Sequence, residues 1–125
     1  MYLLKLSAEI VLCFNVAVPN RPPEIINMHP DNSSVSLKWT GLSDKDWQGA
    51  LQGYKILYQE ANTTIPYNVS VKHGADTNTV IKDLKPGTWY VLRILAFNVY
   101  GDGPLSVPVD IATQGATAGE FFWVF

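Results

Sequence analysis

Cysteine is nearly absent: Cys13 is the single one in 125 residues. That excludes an internal disulfide and any zinc site built on cysteines, so packing alone must hold the fold. An excess of charge of one sign is missing as well. Nine Lys and Arg stand against eleven Asp and Glu, for a formal net charge of −2. Such a balance offers no footprint for nucleic acid and no polybasic run for an anionic membrane surface. No apolar run approaches the ~20 residues of a membrane span. Between Pro19 and Thr113 there is no amphipathic helical pattern. Histidine is scarce, and His29 and His73 both fall in turn-like stretches with no nucleophile or carboxylate at a motif spacing. Asp44 and Asp46 flank Lys45 in a polar loop and read as solvated groups, not as a glycosidase pair. Gly101-x-Gly103 precedes Pro104 instead of a helix, which removes the phosphate-loop reading. No catalytic residue, metal ligand, cofactor or small-molecule substrate is expected, and contact with a membrane only through parts of a larger parent protein.

What is present is apolar and aromatic. Hydrophobic residues make up 47% of the chain, with four Trp, six Tyr and five Phe, enough for one domain with a real core. The pattern is of short strands punctuated by turns. Pro22-Pro23 marks an entrance, since proline cannot sit in a central ladder, and a first strand follows over about Glu24 to Met28. His29-Pro30-Asp31-Asn32 is a turn cluster. Val35, Leu37 and Trp39 alternate with polar residues, which buries one face. A polar loop from Gly41 to Gly49 leads to a third strand with Tyr54, Ile56 and Tyr58 inward. Tyr67, Val69 and Val71 suggest an edge strand, and Thr79 and Ile81 the next one. Val109, Ile111 and Thr113 form the last strand. About seven strands with turns every 8–12 residues predict an all-β Greek-key sandwich.

The most informative stretch is Leu84 to Asn98. Pro86-Gly87 is a turn signal, because proline fixes φ and glycine accepts conformations other residues avoid. Beyond it Tyr90, Leu92, Ile94 and Ala96 share one side, and Val91, Arg93, Leu95 and Phe97 the other. A tyrosine entering such a strand can bury its ring and return its hydroxyl to backbone near the turn, the tyrosine corner of immunoglobulin-like sandwiches. The expected structural core is Trp39, Tyr54, Ile56, Leu84, Tyr90, Leu92 and Ile94.

Pro22-Pro23, Trp39, Gly53-Tyr54-Lys55-Ile56-Leu57-Tyr58, Leu84-x-Pro86-x-Thr88-x-Tyr90, Arg93, Ala96-x-Asn98 and Gly101-x-Gly103-Pro104-x-Ser106 follow one another in order. Over Pro19 to Gly115 the chain resembles a fibronectin type III domain. Trp47 to Tyr54 looks like the loop–strand junction of adhesion molecules of the contactin and sidekick type. The resemblance implies two packed sheets, one of three strands and one of four. It also implies a non-enzymatic module of an extracellular adhesion protein or receptor, binding a protein partner or neighbouring domains. The alternative is a spacer or accessory module of a receptor phosphatase, a receptor kinase or a secreted enzyme. Integrin binding through Arg-Gly-Asp is not supported, since that tripeptide is absent.

The domain is thus expected over 19–115, with an N-terminal extension over 1–18 and an apolar tail over 116–125. The extension reads either as a weak signal segment or as the remnant of a preceding repeat, since Tyr2 to Ala8 lines up with Tyr90 to Ala96. Three Asn-x-Ser/Thr sequons, at Asn32, Asn62 and Asn68, are glycosylation candidates and favour the secretory route. The partner-contact candidates are the outward residues Leu57, Arg93, Leu95 and Phe97, the loop residue Trp47 and the hairpin residue Tyr100. For Trp47 two readings stand: an interface anchor, or a ring folded back over the sandwich end.

Overall fold

The computed structural model describes residues 18–48 and 51–115. The readings made for the segment before Val18 and for the tail after Gly115 lie outside the described residues. The elements are β1 (Ile25–Pro30), β2 (Val35–Trp39), a single helical turn α1 (Asp44–Trp47), β3 (Leu51–Glu60), β4 (Asn68–His73), β5 (Asn78–Ile81), β6 (Trp89–Asn98), β7 (Gly101–Asp102) and β8 (Val109–Ala112). They form two antiparallel sheets, one in the order β1-β2-β5 and the other in the order β4-β3-β6, with β7 and β8 both on the far side of β6.

The last strand position is split for a physical reason. Pro104 and Pro108 have no N–H to give a ladder, so pairing to β6 lapses between Asp102 and Val109. Ser106 bridges the gap: its N–H donates to the Ile94 carbonyl at 2.8 Å, and its Oγ accepts the Ile94 N–H at 2.9 Å. Eight segments therefore fill the seven expected positions. At the other margin β1 runs on to Pro30, two residues beyond the sequence expectation. Proline is tolerated there because β1 is an edge strand.

Alternation delivers the core. Val35, Leu37, Trp39, Tyr54, Ile56, Ile81, Leu84, Tyr90, Leu92, Ile94, Ala96 and Ile111 are buried between the sheets. Removing such side chains from water stabilises the fold by roughly 25 cal/mol per Å² of apolar area. Tyr54 stands edge-on to two indoles, Trp39 at 5.2 Å and Trp47 at 5.3 Å between ring centroids. Burial pushes the Tyr54 hydroxyl above its ordinary pKa, with the Leu42 backbone and the Trp39 side chain opposing. Gly53 lies at a register irregularity of β3, at φ +156°, and a Cβ there would sit 2.3 Å from the Lys72 carbonyl oxygen. Only glycine lets β4 pair so closely at that point.

Trp47 settles between its two readings. The Gly41–Gly49 stretch contains α1, in which the Ser43 carbonyl accepts the N–H groups of Asp46 and Trp47 at 2.9 and 3.1 Å. That turn swings the indole inward, where it is 4% exposed. It caps the end of the core and is not available as an interface anchor.

The tyrosine corner is formed. Tyr90 is buried, and its hydroxyl accepts the Lys85 N–H at 2.8 Å. Thr113 secures the same corner, its Oγ1 donating to the Lys85 carbonyl at 2.6 Å and accepting the Thr88 N–H at 3.0 Å. The Lys85 ammonium meets Glu60 at 2.9 Å, and that hydrogen bond and charge hold it protonated above its ordinary range. Register places the β1–β2, β3–β4 and β5–β6 connections together at this end. The β6–β7 hairpin and α1 lie at the other.

Candidate partner-contact surface

Strict alternation assigns the outer face of the larger sheet residue by residue. Arg93, Leu57 and Val69 form one row across β6, β3 and β4, and Leu95, Lys55 and Val71 form the next. Phe97, Gly53 and His73 follow, with Asp102 on the far side of Phe97. Toward the tyrosine-corner end, Val91 pairs with Gln59 and Asp110, and Trp89 lies opposite Ala112.

This face is apolar and largely open at its edge. Val69 is 52% and Val71 46% exposed, while Leu57, Val91, Arg93 and Phe97 are half-buried. The Phe97 ring is braced from two sides, by His73 edge-on at 6.0 Å and by the Lys55 ammonium 5.0 Å from its centroid. Lys55 is fixed in turn by Asp102 at 2.8 Å. Being partly exposed, that ion pair contributes about 0–1 kcal/mol and chiefly orders the side chains. Arg93 stands differently. Its Nε is shut off from water with no hydrogen-bond acceptor among the described residues.

Leu95 departs from expectation. It does belong to the outer face, since Ile94 and Ala96 point into the core, yet it is only 5% exposed. Its neighbours along that side of β6 are Arg93 and Phe97, and Lys55 faces it directly across from β3. Register thus flanks this shorter branched residue with three long side chains. Leu95 is therefore not an accessible contact residue.

The hairpin tip is open. Tyr100 is 66% and Val99 62% exposed. Buried Asn98 holds the tip, its Oδ1 accepting the Tyr100 N–H and its Nδ2 donating to the Trp47 carbonyl, both at 2.8 Å. One side chain thus ties the hairpin to α1. The sequon residues Asn32, Asn62 and Asn68 are all exposed and gather at the opposite end, in or beside the β1–β2 and β3–β4 connections. Sequence reasoning missed Trp89, 59% exposed at the start of β6. Extending the alternation back one residue from Tyr90 would have found it on the outer side. Among the described residues no group of His, Cys, Asp and Glu is placed to hold a metal ion. No helix among them is long and apolar enough to cross a membrane.

A sandwich with this strand order, closed by a tyrosine corner, defines a β-sandwich module of immunoglobulin-like type. The family model for the fibronectin type III domain matches residues 21–112, and the chain belongs to that family. Modules of this family are in general non-catalytic. The chain is 30% identical to chicken protein sidekick-1 over 95 residues, covering 74% of this chain and 4% of that protein. It is 32% identical to human receptor-type tyrosine-protein phosphatase F over 99 residues, covering 77% of this chain and 5% of that one. Among solved structures, the chicken CNTN1 FN1–FN3 domains superpose with a TM-score of 0.68 at 28% identity, covering 77% of this chain and 33% of that one. The chain thus spans a small fraction of the curated relatives it matches.

Proposed function

We propose that the chain is a binding module of an extracellular adhesion protein or receptor, and that it meets a protein partner on the outer face of its larger sheet. The observation that carries this reading is the apolar field of Leu57, Val69, Val71 and Phe97 on that face, open at the two valines. A partner that covers the valines removes an apolar exposure. The similarity to sidekick-1 and to a receptor-type phosphatase supports a cell-surface parent. Tyr100, at the adjoining tip, extends the surface.

The test uses beads coated with the secreted domain, scored for aggregation and for adhesion to cells. Wild type is compared with Val69→Glu and Val71→Glu, whose side chains sit on an exposed edge strand. Both variants should keep wild-type stability to within about 0.5 kcal/mol and lose adhesion. Adhesion retained by both variants would refute the contact face. Stable beads that never adhere would leave the non-catalytic spacer reading of the same module.

A further inference from the structure

We infer that Asn62 carries an N-linked glycan and that its first sugar rests on the indole of Trp89. The inference builds on the extracellular reading, because only a chain in the secretory route meets the donor.

Asn62 and Trp89 are far apart in sequence but are brought together by the β3–β6 register. Glu60 pairs with Tyr90, so the turn after β3 lies against the first residue of β6. The Ala61 N–H donates to the Trp89 carbonyl at 2.9 Å, which locks the turn to that residue. Thr63 Oγ1 donates to the Glu60 carbonyl at 3.0 Å and closes the turn from the other side. Asn62 itself has a left-handed backbone, φ 62°, a conformation asparagine tolerates better than most residues. Its side-chain amide is exposed and makes no hydrogen bond among the described residues.

Trp89 is the anomaly that this arrangement resolves. It is the largest side-chain type, on a sheet face, 59% exposed and without an aromatic partner among the described residues. Asn62 and Trp89, with Ala61, Val91 and Asp110, line one shallow concavity of about 430 Å³. A pyranose ring has an apolar side of C–H groups whose partial positive charge suits the negative face of an indole. Trp89 and Val91 offer the apolar floor, and the Asp110 carboxylate offers an acceptor for a sugar hydroxyl or acetamido N–H at the rim. The acceptor asparagine, the platform and the polar rim thus occupy one site.

The attachment is a group transfer from a lipid-diphosphate-linked oligosaccharide. Asn62 Nδ2 bonds to the anomeric carbon, and the bond from that carbon to the diphosphate oxygen breaks. The electron pair leaves with the diphosphate, and Nδ2 gives up one proton. Thr64, two residues on, completes the acceptor motif. A sugar here covers the Trp89–Val91 end of the sheet and leaves the Val69, Val71 and Phe97 end open, so modification and partner contact divide the face between them.

The test secretes the domain from cultured animal cells behind a supplied signal peptide, with Asn32→Gln and Asn68→Gln present so that residue 62 is the sole acceptor among the three. Asn62→Gln, Trp89→Ala and their combination are made in the same background, and all four proteins are also made in bacteria, which attach no such glycan. Mass spectrometry of the secreted protein should find Asn62 occupied. Hydroxyl-radical oxidation of Trp89 should fall severalfold with the glycan present. The secreted protein should melt higher than its bacterial counterpart when Trp89 is intact, and that gain should vanish in Trp89→Ala. An unoccupied Asn62 in folded, secreted material would overturn the inference, and so would a glycan that neither shields Trp89 nor loses its thermal effect in Trp89→Ala. Because the signal is supplied, these outcomes are independent of where the parent protein resides. Surface labelling of the parent in its own cells tests that reading separately.

Discussion

Replacing Tyr90 by phenylalanine removes one oxygen from the best-defined joint of the fold. The ring stays, 5% exposed and packed with Leu84, Leu92 and Ile111 in the same core, so the change in apolar burial is negligible. What is lost is the 2.8 Å hydrogen bond from the Lys85 N–H. A net hydrogen bond is worth about 0.5–1.5 kcal/mol, and an unsatisfied donor left behind costs about 1–3 kcal/mol. We expect Tyr90→Phe to destabilise the domain by about 1–3 kcal/mol. At roughly 4–8 °C per kcal/mol for a domain of this size, the shift is easily read in a thermal melt. A urea titration is the stricter assay, because the midpoint should fall while the slope stays constant. An unchanged midpoint would mean that water replaces the hydroxyl at no cost. The corner would then be a geometric coincidence and not a stabilising joint, and the reasoning would fail.

Two further outcomes follow from the same packing. Trp39→Ala should cost more, about 3–5 kcal/mol, since it opens a large void beside Tyr54 at the centre of the core, and near-wild-type stability in denaturant would contradict that placement. Stability should also fall on going from about pH 8 to about pH 11: the raised Tyr54 hydroxyl and the raised Lys85 ammonium both keep in the folded state a proton that the unfolded chain gives up near pH 10, so the folded form loses ground as pH rises. Melting temperatures across that range check it, and Tyr54→Phe should flatten the fall.

The strands were legible because each states its pattern within a few residues. Val35, Leu37 and Trp39 announce a half-buried strand without reference to any other part of the chain, and Leu84-x-Pro86-x-Thr88-x-Tyr90 announces a corner. The features that were hidden depend on partners distant in sequence. The burial of Trp47 requires Tyr54 beneath it and Asn98 holding the Trp47 carbonyl, 51 residues away. Leu95 obeys the alternation that put it outside and is covered all the same, with long side chains beside it on β6 and β3. Alternation determines the side of a sheet on which a residue lies and says nothing of what lies across that side. The split of the last strand was written locally in Pro104 and Pro108, and could have been read.

Leu95 also separates two kinds of residue on the outer face. Glutamate at Leu95 would force a longer, polar side chain into a position only 5% exposed, so loss of binding in Leu95→Glu could come from a disturbed fold as readily as from a damaged interface. Val69 and Val71 lie on the same face, two strands away on the edge strand β4, where water already reaches them. A charge placed there perturbs only what arrives from outside. Of the contact residues expected from sequence, Leu57, Arg93, Phe97 and Tyr100 keep at least partial access, whereas Trp47 and Leu95 belong to the frame that holds them in place. Binding that depends on the valines and on Arg93 while tolerating changes at the Trp89 end would match a face whose two halves serve different occupants, a partner on one and a glycan on the other.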